Sequence, residues 1–147
     1  MKANSQGFTL VELITVIVLL GILAVVAIPK FVDLQREARI AKLYAVHAAL
    51  SSATQMTHSA ARVQNGNDGN QPVRGIAMRN YFPQANASGI VAAVTLTDVN
   101  FTYTGNTVEF SLTPRVGSSA PTGMCSVSYQ KLDDTTPPTL SISESGC

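Results

Sequence analysis

The sequence predicts an α+β protein in which one long N-terminal helix precedes a small antiparallel β-sheet. Apolar residues near the N-terminus form an uninterrupted run and then recur at three- and four-residue spacing, as on a helix. Beyond a loop rich in Asn and Gly, apolar residues alternate with polar ones, as on strands with one buried face. We therefore expect the second half of the helix to cover the apolar face of the sheet.

Length and charge limit the protein to one domain without a nucleic-acid partner. The chain has 147 residues and a formal net charge of +1. Basic and acidic residues alternate between Lys30 and Lys42, which is typical of a solvated or ion-paired helix face.

The N-terminal apolar run predicts a transmembrane helix at residues 8–28. As a helix this run would be roughly 30 Å long, the thickness of the hydrocarbon core of a bilayer. Between Leu13 and Ile28 no residue is charged, and the preceding turn adds only Glu12. A secretory signal would have a small-x-small cleavage site after the run, and none is evident here. A small residue, Gly7, instead stands before the run, so cleavage there would remove residues 1–7 and leave the apolar segment on the mature protein.

The helical pattern continues through residues 29–61 as an amphipathic half of the same helix. A cluster of turn-forming residues from Asn65 to Pro72 then ends it. Pro29 lacks the N–H that would bond to Val25, and Gly21 is a weak helix former, so both predict a helix break or kink. The predicted buried stripe consists of Phe31, Leu34, Ala38, Ala41, Ala45, Ala48 and Ser52, widened by Ile40, Leu43 and Leu50.

Residues 62–147 predict a β domain of four antiparallel strands. The segments 100–104 and 107–112 flank Gly105-Asn106, which is a two-residue hairpin signal. Alternating apolar residues at 125–129 and 140–142 predict the other two strands. The sequence leaves open whether residues 87–93 form a short helix.

The cysteines and histidines favour a disulfide over a metal or catalytic site. Cys125 and Cys147 are far apart and have no histidine nearby in sequence, so they predict a disulfide formed in an oxidising compartment. His47 and His58 would lie roughly 16 Å apart on a helix, too far to share an ion. Because no nucleophile motif frames any Ser, we expect no catalytic residue, metal or cofactor, and no enzyme activity.

The sequence Gly7-Phe8-Thr9-Leu10-Val11-Glu12, followed by the apolar run, Gly21 and Pro29, resembles the N-terminus of the bacterial type IV pilin family. That family includes the pseudopilins of type II secretion, and the resemblance covers roughly residues 1–61. The segments 29–35, 87–93 and 125–147 look like pilins of the mannose-sensitive haemagglutinin type, a type IVa subgroup.

This resemblance implies roles for three N-terminal residues. A prepilin peptidase would cut between Gly7 and Phe8, and the new amine of Phe8 would be N-methylated. Glu12 would pair with the Phe8 amine of a neighbouring subunit during assembly. From the residues alone, Thr9 to Glu12 also fits a capping box at the start of the helix.

The implied function is that of the major structural subunit of a pilus for surface adhesion and motility. The precursor would sit in the inner membrane and enter an extracellular homopolymer through the pilus assembly machinery. One alternative is a major pseudopilin of a type II secretion system, although the C-terminal disulfide loop is more typical of pilins. Another is a monomeric membrane-anchored binding protein, which would not need Gly7 and Glu12 in this arrangement.

Overall fold

The computed structural model describes residues 7–112, 125–132 and 135–147, and it confirms the α+β class. By density of contacts the chain divides after Glu37 into two units. The elements in chain order are α1 (Leu10–Gln64), β1 (Met78–Arg79), β2 (Phe82–Pro83), β3 (Val99–Thr104), β4 (Thr107–Leu112), β5 (Ser126–Gln130) and β6 (Thr139–Ser143).

Helix α1 is assigned without interruption from Leu10 to Gln64. Its backbone is therefore helical at both Gly21 and Pro29, where the sequence predicts a break. Gly66 follows its end with φ of 53°, the left-handed conformation in which many helices stop.

The main sheet is antiparallel and has the order β3-β4-β5-β6. Thr104 pairs with Thr107 across the predicted two-residue turn. Gly105 has φ of 57° there, as the first central position of such a hairpin turn requires. The four predicted antiparallel strands are thus confirmed, and the structure adds their order, which is that of a meander.

The core of the unit from Ala38 to Cys147 lies between α1 and the inner face of this sheet. Side chains that are at most 4% exposed come from both elements. They are Leu43, Val46 and Leu50 of α1 with Val108, Phe110, Leu112, Val127 and Tyr129 of the strands.

The buried face of α1 differs from the predicted stripe. Ala41, Ala45, Ala48 and Ser52 are exposed, whereas Leu43 and Leu50, predicted as the widening of the stripe, are buried together with Val46 and Ala53. Burial of a leucine or valine removes more apolar area from water than burial of an alanine, so the helix turns its larger side chains inward.

A second, smaller cluster joins the end of α1 to a short hairpin that the sequence did not predict. Ala61 packs there with Val73, Met78 and Tyr81. Strands β1 and β2 have two residues each, and Asn80 and Tyr81 between them have φ of 49° and 65°. Residues 87–93, where the sequence left a short helix as one possibility, form consecutive turns.

Candidate assembly site

The start of α1 is a capping box built from Thr9 and Glu12. The Thr9 N–H and hydroxyl both donate to Glu12 Oε2, each at 2.9 Å. The Glu12 N–H donates in return to Thr9 Oγ1 at 3.2 Å. These bonds satisfy N–H groups that have no partner inside a helix. Within one chain, the Glu12 carboxylate therefore fixes where the helix begins.

The helix that follows is apolar on every side. Residues Leu10–Ile28 have a mean hydropathy of 3.0, and this is the one helix of the described chain long and apolar enough to cross a membrane. Its large side chains are 48% to 75% exposed in the single chain. Thr15 donates its hydroxyl to the Val11 carbonyl at 2.7 Å, so its polar group is satisfied without water.

The residues around the predicted cleavage point are accessible. The side chain of Phe8 is 89% exposed, and Gly7 precedes it outside the helix. A side chain at position 7 would meet none of the described residues within 4 Å, so their packing does not require glycine there. The rest of the predicted leader, residues 1–6, lies outside the described residues.

Gly7, Phe8 and Glu12 come together only because they are neighbours in sequence. Among the described residues Glu12 has one partner residue, Thr9, and that partner is uncharged. The amine that the resemblance assigns to Glu12 would exist only after cleavage, so the pairing stays a prediction.

The predicted disulfide between Cys125 and Cys147 is present. Both half-cystines are buried in the main core. The Cys125 carbonyl accepts from the Leu112 N–H at 3.2 Å, and its N–H donates to the Ser145 carbonyl at 2.7 Å. The end of the chain is thus bonded to the strand beside it by both a covalent bond and a hydrogen bond.

Of the two histidines, His58 contacts the short β1–β2 hairpin. The ring of His58 stacks on Phe82 with 4.2 Å between centroids, and its Nδ1 lies 3.0 Å from the Tyr81 carbonyl oxygen. His58 thus packs against the β1–β2 hairpin. In the described ranges, no three His, Cys, Asp or Glu residues are grouped closely enough to hold a metal ion.

The outer face of the main sheet carries a shallow groove of about 400 Å³ lined mostly by hydroxyl groups. One row across the strands is Thr102, Glu109, Ser128 and Ser141. Ser126 donates to Glu109 Oε1 at 2.6 Å, and the hydroxyls of Ser128 and Ser141 are 2.6 Å apart. Sequence reasoning identified these positions only as the polar half of the alternation.

Two comparisons with known proteins match parts of the chain. Residues 2–28 match the family model described as the prokaryotic N-terminal methylation motif. The type IV narrow pilus major component PilA5 of Thermus thermophilus is 51% identical over 50 residues. That alignment covers 34% of this chain and 43% of the relative, so it spans less than half of either protein. No solved structure matches the chain.

The segment matched by the methylation motif contains the exposed apolar helix, and the chain that follows forms a sheet closed by a disulfide. The chain thus carries the N-terminal methylation motif and is similar, over part of its length, to a type IV pilin.

Proposed function

We propose that this chain is the major structural subunit of a bacterial type IV pilus, of the mannose-sensitive haemagglutinin type, which serves surface adhesion and motility. The observation that carries the proposal is the exposed apolar surface from Leu10 to Ile28, which lies within the matched motif. Such a surface has to be covered by lipid or by other apolar helices. The inner membrane would cover it in the precursor, and copies of the same helix would cover it in the filament.

Processing would convert one state into the other. A prepilin peptidase cuts between Gly7 and Phe8 and the Phe8 amine becomes methylated, after which the assembly machinery moves the subunit from the membrane into the filament. The accessible Phe8 and the freedom from packing at Gly7 support this step. Because a glycine is not required by the chain itself, its role would lie in fitting the peptidase.

The charge of Glu12 supports pairing between subunits. The bonds from Thr9 satisfy the carboxylate oxygen but leave its negative charge, which is costly in an apolar bundle without a positive partner. The Phe8 amine of a neighbour would supply that partner. Gly21 and Pro29 would let the helix loosen between them as the subunits pack.

The rival function is that of a major pseudopilin in a type II secretion system. It would use the same N-terminal segment, so that segment does not distinguish the two. The Cys125–Cys147 disulfide favours the pilin, by the same resemblance.

Electron microscopy of surface filaments, combined with intact mass measurement, tests the proposal. Cells with the gene should display long filaments labelled by an antibody to this chain, and deletion should remove them. The subunit mass should correspond to residues 8–147 with one added methyl group. Retention of Met1 in the shed filaments would contradict the processing, and loss of protein secretion without loss of surface filaments would identify a pseudopilin.

A further inference from the structure

Strand β3 forms one edge of the main sheet and is poorly covered. Within residues 7–112, 125–132 and 135–147, it pairs with β4 and with no strand on its other side. Five of its six residues are exposed, and only Val99 is half-buried. An open strand edge presents backbone N–H and C=O groups to any extended segment that reaches it.

The backbone groups on this edge belong to Val99, Phe101 and Tyr103. The Leu112 N–H donates to Cys125, so the even-numbered residues of β4 bond toward β5. Because bonding direction alternates along a strand, the odd-numbered residues of β4 bond toward β3. Their partners on β3 are Asn100, Thr102 and Thr104. The other three residues of β3 therefore point their N–H and C=O groups outward.

The same three residues present an apolar surface. They lie opposite Leu112, Phe110 and Val108, and so share the inner face of the sheet. Phe101 contacts the Phe110 ring edge to face yet stays 38% exposed, and Tyr103 stays 49% exposed. The core of this unit thus continues to the sheet edge, and no described residue closes it there.

This edge lacks the features that usually block pairing. The sequence of β3, Val-Asn-Phe-Thr-Tyr-Thr, contains no charge and no proline. The opposite edge strand, β6, directly follows Pro137-Pro138 and is followed by Glu144. The contrast points to β3 as the edge that is available.

We propose that the β3 edge is an interaction surface for a second copy of this chain, with the two β3 strands antiparallel and Phe101 opposite Phe101. In this register Val99 of each copy faces Tyr103 of the other. All outward N–H and C=O groups then meet partners, because both members of each pair are outward-facing residues. Two aromatic residues from each copy cover one another on the apolar face, as favourable cross-strand pairs do.

A copy of the same strand suits this edge because the strand is self-complementary. It is neutral, so the two copies bring no like charges opposite each other within the pair. The contact has two-fold symmetry, whereas neighbours along a helical filament are related head to tail. If the chain forms filaments as proposed above, the pairing therefore joins subunits of different filaments.

The pairing is expected to be weak for one pair of chains and strong for two arrays. A stable complex needs about 1,000 Å² of buried surface in total, and one strand pair buries less than that. Repetition of the contact along two filaments would raise the avidity without any new interaction. Covalent trapping is thus the appropriate measurement.

Cysteine cross-linking of the full-length chain in detergent tests the register. The sequence has only two cysteines, both in the disulfide, so an introduced cysteine supplies the one free thiol. In the proposed pair, Asn100 of one copy lies opposite Thr102 of the other, with Cβ atoms about 5 Å apart. A mixture of the Asn100→Cys and Thr102→Cys chains should give at least about tenfold more disulfide-linked dimer than either variant alone. Equal yields in the three samples would overturn the proposal.

A charge variant gives an independent test on the same samples. Phe101→Lys, added to both cysteine variants, places two like charges opposite each other and should return the mixture to the yield of the single variants. Asn106→Lys lies in the hairpin turn outside the paired residues and should leave the yield unchanged. Undiminished cross-linking in the Phe101→Lys mixture would also overturn the proposal, and thermal unfolding of each variant shows whether the sheet is intact.

Discussion

At the scale of the residue, Glu12 combines a local role with a proposed role between subunits. The sequence predicted the capping box and the structure confirms its three hydrogen bonds. The pairing with a neighbouring amine could not follow from a single chain, because neither the free amine nor the neighbour is part of it. The two roles differ in what they need: the cap needs an acceptor oxygen, and the pair needs a charge.

The variants Glu12→Gln and Glu12→Val separate these roles. Glutamine keeps an acceptor for Thr9 and fits a capping box, whereas valine removes acceptor and charge together. If the charge drives assembly, both variants should reach the membrane and be cleaved, and both should form few filaments. Loss of one member of a buried ion pair costs roughly 3–5 kcal/mol, against about 1 kcal/mol for a lost cap. Filament counts by electron microscopy measure the outcome, and wild-type numbers from Glu12→Gln would assign the residue to capping alone.

Gly89 is a residue whose importance comes from the backbone beside it. It is buried, and an added Cβ would collide with the backbone carbonyl of Gln84. That carbonyl already accepts from the Ile90 N–H at 2.8 Å, so it cannot move freely. Gly89→Ala should therefore destabilise the protein by roughly 3 kcal/mol, the upper range for overpacking.

The control for Gly89 is Gly66→Ala, where an added Cβ meets nothing within 4 Å and only the positive φ opposes it. Its cost should be about 1 kcal/mol. Thermal unfolding of the two variants compares them directly. If Gly89→Ala unfolds at the same temperature as Gly66→Ala, or at a higher one, the turn at residues 84–90 adjusts to the added side chain.

At the scale of the element, the sequence predicted an element well where its apolar residues recur with a clear period of two. It predicted the buried face of the helix and the very short strands less well. The alternation in β4 gave the correct strand, its hairpin partner and its buried face, since a period of two allows only two faces. The helical periodicity of α1 is compatible with several neighbouring buried faces. Its many alanines made a face that is in fact exposed look apolar. Strands β1 and β2 were missed because two residues carry no period, and what fixes them is packing onto the end of α1.

A hydrogen bond from Tyr44 links α1 to the residue just after β6. This bond should make the stability of the protein change with pH in the alkaline range. The Tyr44 hydroxyl donates to Glu144 Oε1 at 2.6 Å, and this bond to the carboxylate raises the pKa of the Tyr44 phenol above its ordinary value of 10.0. A raised pKa means that the folded state holds the proton more tightly than the unfolded chain. The contribution is therefore complete below about pH 10 and is lost as the pH rises through the folded pKa.

We expect the Tyr44→Phe variant to unfold at a lower temperature than the wild type at neutral pH, because phenylalanine cannot donate to Glu144. The difference should shrink above about pH 10 and then reverse, since the ionised phenol repels the carboxylate. Thermal unfolding followed across this range measures the effect. Tyr129 is present in both proteins and cancels in the comparison. A difference independent of pH would show that the lost hydrogen bond does not involve the phenolic proton.

At the scale of the whole molecule, the disulfide should contribute a large share of the stability. It joins Cys125 to Cys147 across a sequence separation of 22. A loop of this length is worth about 3 kcal/mol, against a total of about 5–15 kcal/mol for a small protein. The Cys125→Ser/Cys147→Ser double variant should accordingly unfold at lower denaturant concentration and give fewer filaments.

The control for the disulfide is the wild-type chain unfolded with and without a reductant. Reduction should lower the midpoint of the wild type to near that of the double variant and leave the double variant unchanged. If the two oxidised proteins unfold at the same denaturant concentration, the core around Cys125 is sufficient without the covalent bond.

The alternation of the main sheet has a consequence for how such a protein can diversify. The side chains of Thr102, Glu109, Ser128 and Ser141 lie on the opposite face from Val108, Phe110 and Val127. Thr102 and Ser141 are exposed, and changes at exposed positions usually shift stability by less than about 0.5 kcal/mol. Selection can therefore replace the hydroxyl-rich face one residue at a time while the core stays constant. Two versions of this protein can share the fold and still differ in the surface that an antibody recognises.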